Sequence, residues 1–107
     1  MTLMNLSLIL SFSSLLVVQS CNRQPLEDIP VTPNVTFTNH IQPITSTTCI
    51  KCHSQGSRDY SQFKNAYRSR ISIKQRVVID RTMPVGQFLS DKDRALFRDW
   101  VNQGGNE

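Results

Sequence analysis

Cys49-Ile50-Lys51-Cys52-His53 is the stretch on which the reading of this chain turns. The spacing C-x-x-C-H is that of covalent haem attachment. On a helical turn, residues three and four apart share a face. Cys49, Cys52 and His53 can therefore point at one porphyrin. The two thiols add to its vinyl groups as thioethers, and the imidazole of His53 takes one axial position on the iron.

Three other uses of these residues compete with haem attachment. A structural zinc site needs four nitrogen or sulfur ligands. Beyond the motif the only further strong candidate is His40, nine residues before Cys49, which is neither a finger nor a ribbon spacing. A thioredoxin-like redox pair sits at a helix start within a βαβ pattern, and no such strands are visible. A plain Cys49–Cys52 disulfide in an oxidising compartment stays open.

A haem held by His53 has a second face. Thr82-Met83-Pro84 lies downstream, and Met83 is the only methionine after the N-terminal apolar run. A thioether is a soft iron ligand, and Pro84 stiffens the loop that carries it. His/Met ligation raises the reduction potential relative to bis-His ligation. The blander role for Met83 is to fill a gap in a small core. His40 is the rival ligand, but it belongs near the start of the helix leading into the motif, on the attachment side. It is expected as an exposed surface residue.

Length and composition agree with a cofactor-filled domain. The chain has 107 residues, 38% hydrophobic but only 7% aromatic. That suits one small domain with a thin protein-only core, the kind that needs a staple. Three cysteines, an odd number, exclude a fully paired disulfide framework within one chain.

Residues 1–20, MTLMNLSLILSFSSLLVVQS, contain no charged side chain, so the formal charge of +4 falls entirely after Ser20. The stretch is short and serine-rich for a transmembrane helix and suits the apolar region of a secretory signal. Its end, Val18-Gln19-Ser20-Cys21, resembles the lipobox of bacterial lipoproteins. The resemblance implies cleavage before Cys21, lipid on its thiol and acylation of its amine, which together anchor stably. An ordinary signal, or an uncleaved anchor with Cys21 as a free thiol, is the alternative. Export agrees with covalent haem, which is attached outside the bacterial cytoplasm. Residues 21–34, with Pro25, Pro30 and Pro33, read as an extended tether. At about 3.1 Å per residue it would reach roughly 40 Å from the lipid.

From Val35 onward the chain resembles a small class I cytochrome c domain, of the single-haem type common in bacterial secreted proteins. The matching stretches are 37–44 (FTNHIQPI), the C-x-x-C-H motif, Met83-Pro84, 89–93 (LSDKD) and 100–104 (WVNQG). The polar run 54–61 departs from the pattern. The resemblance implies an all-α fold of four short helices around one covalent haem c. It also implies that the first and last helices cross behind the haem, pairing Phe37, Ile41 and Ile44 with Phe97, Trp100 and Val101.

The residues themselves give the same helices. One runs from Thr38 or Asn39 into the motif, with Pro43 early enough to be tolerated. A second spans 61–70, with Phe63 and Tyr67 on one face. A third spans 72–80, with Ile73, Val77 and Ile79 inward. The last opens at Ser90 with Asp93 in a capping-box relation and stops at Gly104.

Between positions 58 and 81 lie Arg58, Lys64, Arg68, Arg70, Lys74, Arg76 and Arg81, opposed only by Asp59 and Asp80. The bland reading is a solvated outer face. The sharper one is a docking surface for an acidic redox protein; anionic lipid is a third partner. Nucleic acid does not suit an exported, lipid-anchored chain, and no small-molecule substrate is implied. There is no Ser–His–Asp set, phosphate loop or carboxylate pair. The expected function is a one-electron carrier tethered to a bacterial membrane, on the periplasmic side or cell surface, rather than an enzyme. It could serve as the electron-accepting subunit of an oxidoreductase. A haem sensor with an open sixth site, or a non-haem lipoprotein with a Cys49–Cys52 disulfide, are the alternatives.

Overall fold

Residues 25–107 are described by the computed structural model; residues 1–20, read as a signal peptide, and Cys21 lie outside them. Four helices make up the described chain. They are α1 over 37–49, α2 (Phe63–Arg68), α3 over 70–79 and α4 (Asp91–Asn102), with single 3₁₀ turns at Leu26–Asp28 and Gly56–Arg58 and no strand among the described residues.

Thr36 starts α1. Its side-chain oxygen accepts from the Asn39 N–H at 3.2 Å, while its own N–H donates to His40 Nδ1 at 3.0 Å. His40 is thus a half-buried partner in a reciprocal cap, not the exposed surface residue expected. The helix is wound wide, with i→i+5 bonds over Phe37–Ile41 and Thr45–Cys49, and only Gln42–Ile44 is a tight α-turn. Pro43 falls at the start of that turn, so its missing N–H does not interrupt a regular ladder.

In α4, Ser90 Oγ accepts from the Asp93 N–H at 3.1 Å, as its N-cap role requires. At the other end the Gly105 N–H donates to the Trp100 carbonyl (2.8 Å) and the Gly104 N–H to that of Val101 (3.1 Å), with Gly104 at φ 103°. This is the Schellman stop that the glycine allows.

The core is built where α1 and α4 meet. Phe37, Ile41, Phe97 and Trp100 are almost fully buried, and the Phe37 and Trp100 ring centroids stand 6.0 Å apart. Each such side chain contributes roughly 1.5–3 kcal/mol of burial. Phe63 of α2 packs on Phe37 at 5.6 Å. The Asn106 carbonyl accepts both the Phe37 N–H and the Trp100 indole N–H, tying the chain end to both helices.

Two expectations need correction. In α3, Ile73, Val77 and Val78 are buried and Ile79 is exposed. The i→i+5 winding over Lys74–Ile79 holds more residues per turn, which brings Val78 beneath Ile73 and swings Ile79 outward. The proline-rich segment is not an extended spacer along its described length. Leu26 is buried, and the Arg98 guanidinium donates to the Leu26 and Ile29 carbonyls. The Thr32 N–H donates to Asp99 Oδ2 at 2.9 Å, and Gln103 clasps Thr32 and Val35. Residues 25–34 are therefore a strap along α4, held by polar residues whose partners lie about 70 positions away.

Candidate haem site

The wide last turn of α1 delivers the motif. The Cys52 N–H (3.2 Å) and the His53 N–H (2.9 Å) both donate to the Cys49 carbonyl, so all three side chains leave one turn. They line a cavity of 470 Å³ between the end of α1, the 54–61 loop, α3, the 82–89 segment and α4. Met83 and Pro84 line it too, with an apolar wall from Ile73, Val77, Leu89 and Phe97. The sequence-predicted ligands and attachment residues thus share one cavity, of a size and apolarity usual for a cofactor pocket. Trp100 lies in the core rather than on the wall, as do Phe37 and Ile41. His40 is not among the lining residues.

The polar run after the motif is organised. Asp59 Oδ1 accepts from the Ser61 N–H and hydroxyl, and Asn65 of α2 donates to the Gly56 and Asp59 carbonyls. These bonds set Tyr60 against His53, with ring centroids 4.9 Å apart and planes 24° apart. The stack fixes the orientation of the imidazole, a role for Tyr60 that no sequence pattern signalled.

Met83 is gripped at both main-chain ends. Its N–H donates to the Arg76 carbonyl (3.2 Å), and its carbonyl accepts from Arg94 Nη1 (2.8 Å). Sequence reasoning missed Arg94. The legible signal was its register: it falls three residues before Phe97 and seven before Val101, on the apolar stripe of α4. Across the cavity mouth Lys51 Nζ donates to Gln87 Oε1 at 3.2 Å.

Three observations bear on what these residues could hold. The His53 Nδ1 atom is buried without a hydrogen-bond partner, a state that costs free energy. A metal bond made at that nitrogen itself would supply the missing compensation. Cys49 and Cys52 are unpaired thiols. Burial pushes the Cys49 thiol up to about 11, so it is a neutral thiol at physiological pH, unlike an activated redox thiolate. Among the described residues no group of three or more His, Cys, Asp and Glu side chains is placed to hold a bare metal ion. Two thiols, one imidazole and one thioether around a mainly apolar cavity fit a covalent haem. Cys49 and Cys52 would attach it, and His53 and Met83 would serve the iron.

The basic run divides. Arg58 and Arg76 line the cavity. Lys74 bonds Asn102 at 2.6 Å, Arg81 pairs with Asp91 at 3.4 Å, and Arg70 lies over the Tyr67 ring. Comparison with models of known protein families, with curated proteins and with solved structures returned no match to the chain.

Proposed function

We propose that the chain is a monohaem c-type cytochrome of the small class I type, exported and lipid-anchored through Cys21, that carries one electron at a time. The observation that carries this reading is the convergence of Cys49, Cys52, His53 and Met83 on one apolar cavity. The haem, when bound, supplies the Fe(II)/Fe(III) couple. The chain's residues attach and orient it, exclude water from it and set its potential. His53, steadied by Tyr60, and Met83 would hold the iron. With His53 and Met83 both serving the iron, no substrate would need to reach it, so the protein would act as a carrier and not as an enzyme by itself.

An acidic redox protein is the partner that the cavity mouth supports. Arg58 and Arg76 line it and are exposed, exposed Lys51 bonds the lining residue Gln87, and Phe88, between the lining residues Gln87 and Leu89, is 89% exposed. A cationic ring around an apolar centre suits a partner of opposite charge that docks briefly.

The test is expression in a host with c-type maturation, followed by haem staining of a denaturing gel and oxidised and reduced spectra. Haem that survives denaturation, with the far-red band of Met–Fe(III), is expected. Haem without that band would leave the sixth site open and favour a sensor. A chain with no haem would return Cys49 and Cys52 to a disulfide.

A further inference from the structure

We infer that Arg94 is the positioning residue that holds Met83 over the cavity, so that it decides whether the thioether stays within reach of the iron. The inference rests on the haem reading above. Arg94 lies on α4 with only 9% of its surface exposed. Its Nη1 donates to two carbonyls at once, Val77 at 2.7 Å and Met83 at 2.8 Å. One carbonyl belongs to the cavity-lining helix α3, the other to the residue that carries the thioether. A single planar head group thereby ties three elements together, and a charge-assisted bond is about twice as strong as a neutral one.

The segment it holds is tied near its ends by the Arg81–Asp91 pair, the Lys51–Gln87 bond and buried Leu89, but next to Met83, apart from Arg94, only main-chain bonds hold it. Between Asp80 and Leu89 the chain is irregular, and Val85 and Phe88 are largely exposed. The Met83 N–H is bound to the Arg76 carbonyl, but the same carbonyl also accepts the Thr82 N–H, so that grip is shared. Arg94 supplies the grip on the other side of the Met83 Cα. A buried guanidinium is costly to place, and an apolar residue at this core register would pack at less cost. Two of its bonds reach carbonyls of other elements, Val77 on α3 and Met83 on the loop. Capping α3 alone would need only the Val77 bond.

The test uses the full-length, haem-loaded protein with Arg94→Met, Arg94→Lys and Met83→Ala side by side. Arg94→Met is expected to lose most of the far-red Met–Fe(III) band, and its reduced form is expected to bind CO at least tenfold faster than wild type. The covalent haem and helical circular dichroism should persist. Arg94→Lys keeps the charge but not the fork. It should keep part of the band and bind added imidazole about tenfold more tightly than wild type. Should Arg94→Met fail to accumulate, the imidazole titration of Arg94→Lys decides: unchanged affinity overturns the inference. A band and CO rate in Arg94→Met equal to wild type, while Met83→Ala loses the band, also overturns it and leaves the His53/Met83 reading intact. If Met83→Ala itself keeps the band, the ligand reading fails and the inference falls with it.

Discussion

Arg98 and Asp99, adjacent on α4, form an ion pair at 2.7 Å, and together they bind the Leu26, Ile29 and Thr32 backbone. Neighbouring helix positions do not normally face each other. Here the long Arg98 side chain folds back onto an Asp99 that is only 2% exposed. The buried carboxylate thus holds Thr32 directly and orients the Arg98 that holds Leu26 and Ile29. Asp99→Ala removes an acceptor from both the Thr32 N–H and the Arg98 guanidinium. Breaking a buried pair from one side costs about 3–5 kcal/mol. A lower thermal midpoint and new protease cleavage near residues 25–34 are expected; a midpoint within a degree of wild type would show the strap to be incidental.

On the haem reading, removing the haem should lower the stability of the fold, because the apolar lining of the cavity loses the body it would pack against and a small domain has little margin to spare. Cys49→Ser with Cys52→Ser should therefore give a chain with weak, non-cooperative thermal unfolding by circular dichroism. A sharp transition at the holoprotein midpoint would refute this.

The haem-free chain, where a stabilising salt such as sulfate keeps it folded, should show a pH signature from Cys49. Burial raises that thiol from its ordinary 9.0 to about 11, so the folded chain holds the proton more tightly than the unfolded one. Its stability then falls as pH rises from about 9 to about 11 and is unaffected by this group below that window. Iodoacetamide should modify the exposed Cys52 first at pH 8, with Cys49 following only as pH approaches 11. Equal rates at pH 8 would place Cys49 outside the cavity.

Met83→Ala should keep covalent haem, because the proposed attachment is through Cys49 and Cys52. It should lower the reduction potential and open the reduced iron to CO. A spectrum and potential equal to wild type would remove Met83 as the ligand.

Cys21→Ser should move the protein out of the lipid-modified membrane fraction while leaving haem content unchanged. Continued membrane retention would point to an uncleaved anchor.

Local signals in the sequence carried much of this architecture. Ser90 and Gly104 mark the ends of α4 because capping is a matter of a few adjacent residues. Cys49, Cys52 and His53 leave one turn because their spacing is helical, and Met83 lines the cavity they line. What stayed hidden depends on contacts between distant positions. Arg94 shows only as a charge on the apolar stripe of α4, and its partners Val77 and Met83 are not adjacent to it in sequence. The strap looked like a proline spacer because its partners, Arg98, Asp99 and Gln103, lie at the far end of the chain. Val78 displaced Ile79 from the core because a wide turn altered the periodicity that an ordinary helix would impose.

The docked strap also changes how far the domain can travel. With its carbonyl bound by Arg98, Leu26 is held on α4 five Cα steps from Cys21. At about 3.3–3.6 Å per step the leash is at most about 18 Å, under half the reach of a free tether. The volume swept around the proposed lipid anchor shrinks with the cube of that length, to roughly one tenth. Such a carrier would search in two dimensions, meeting partners embedded in its own membrane at high local concentration and leaving those farther out to come to it.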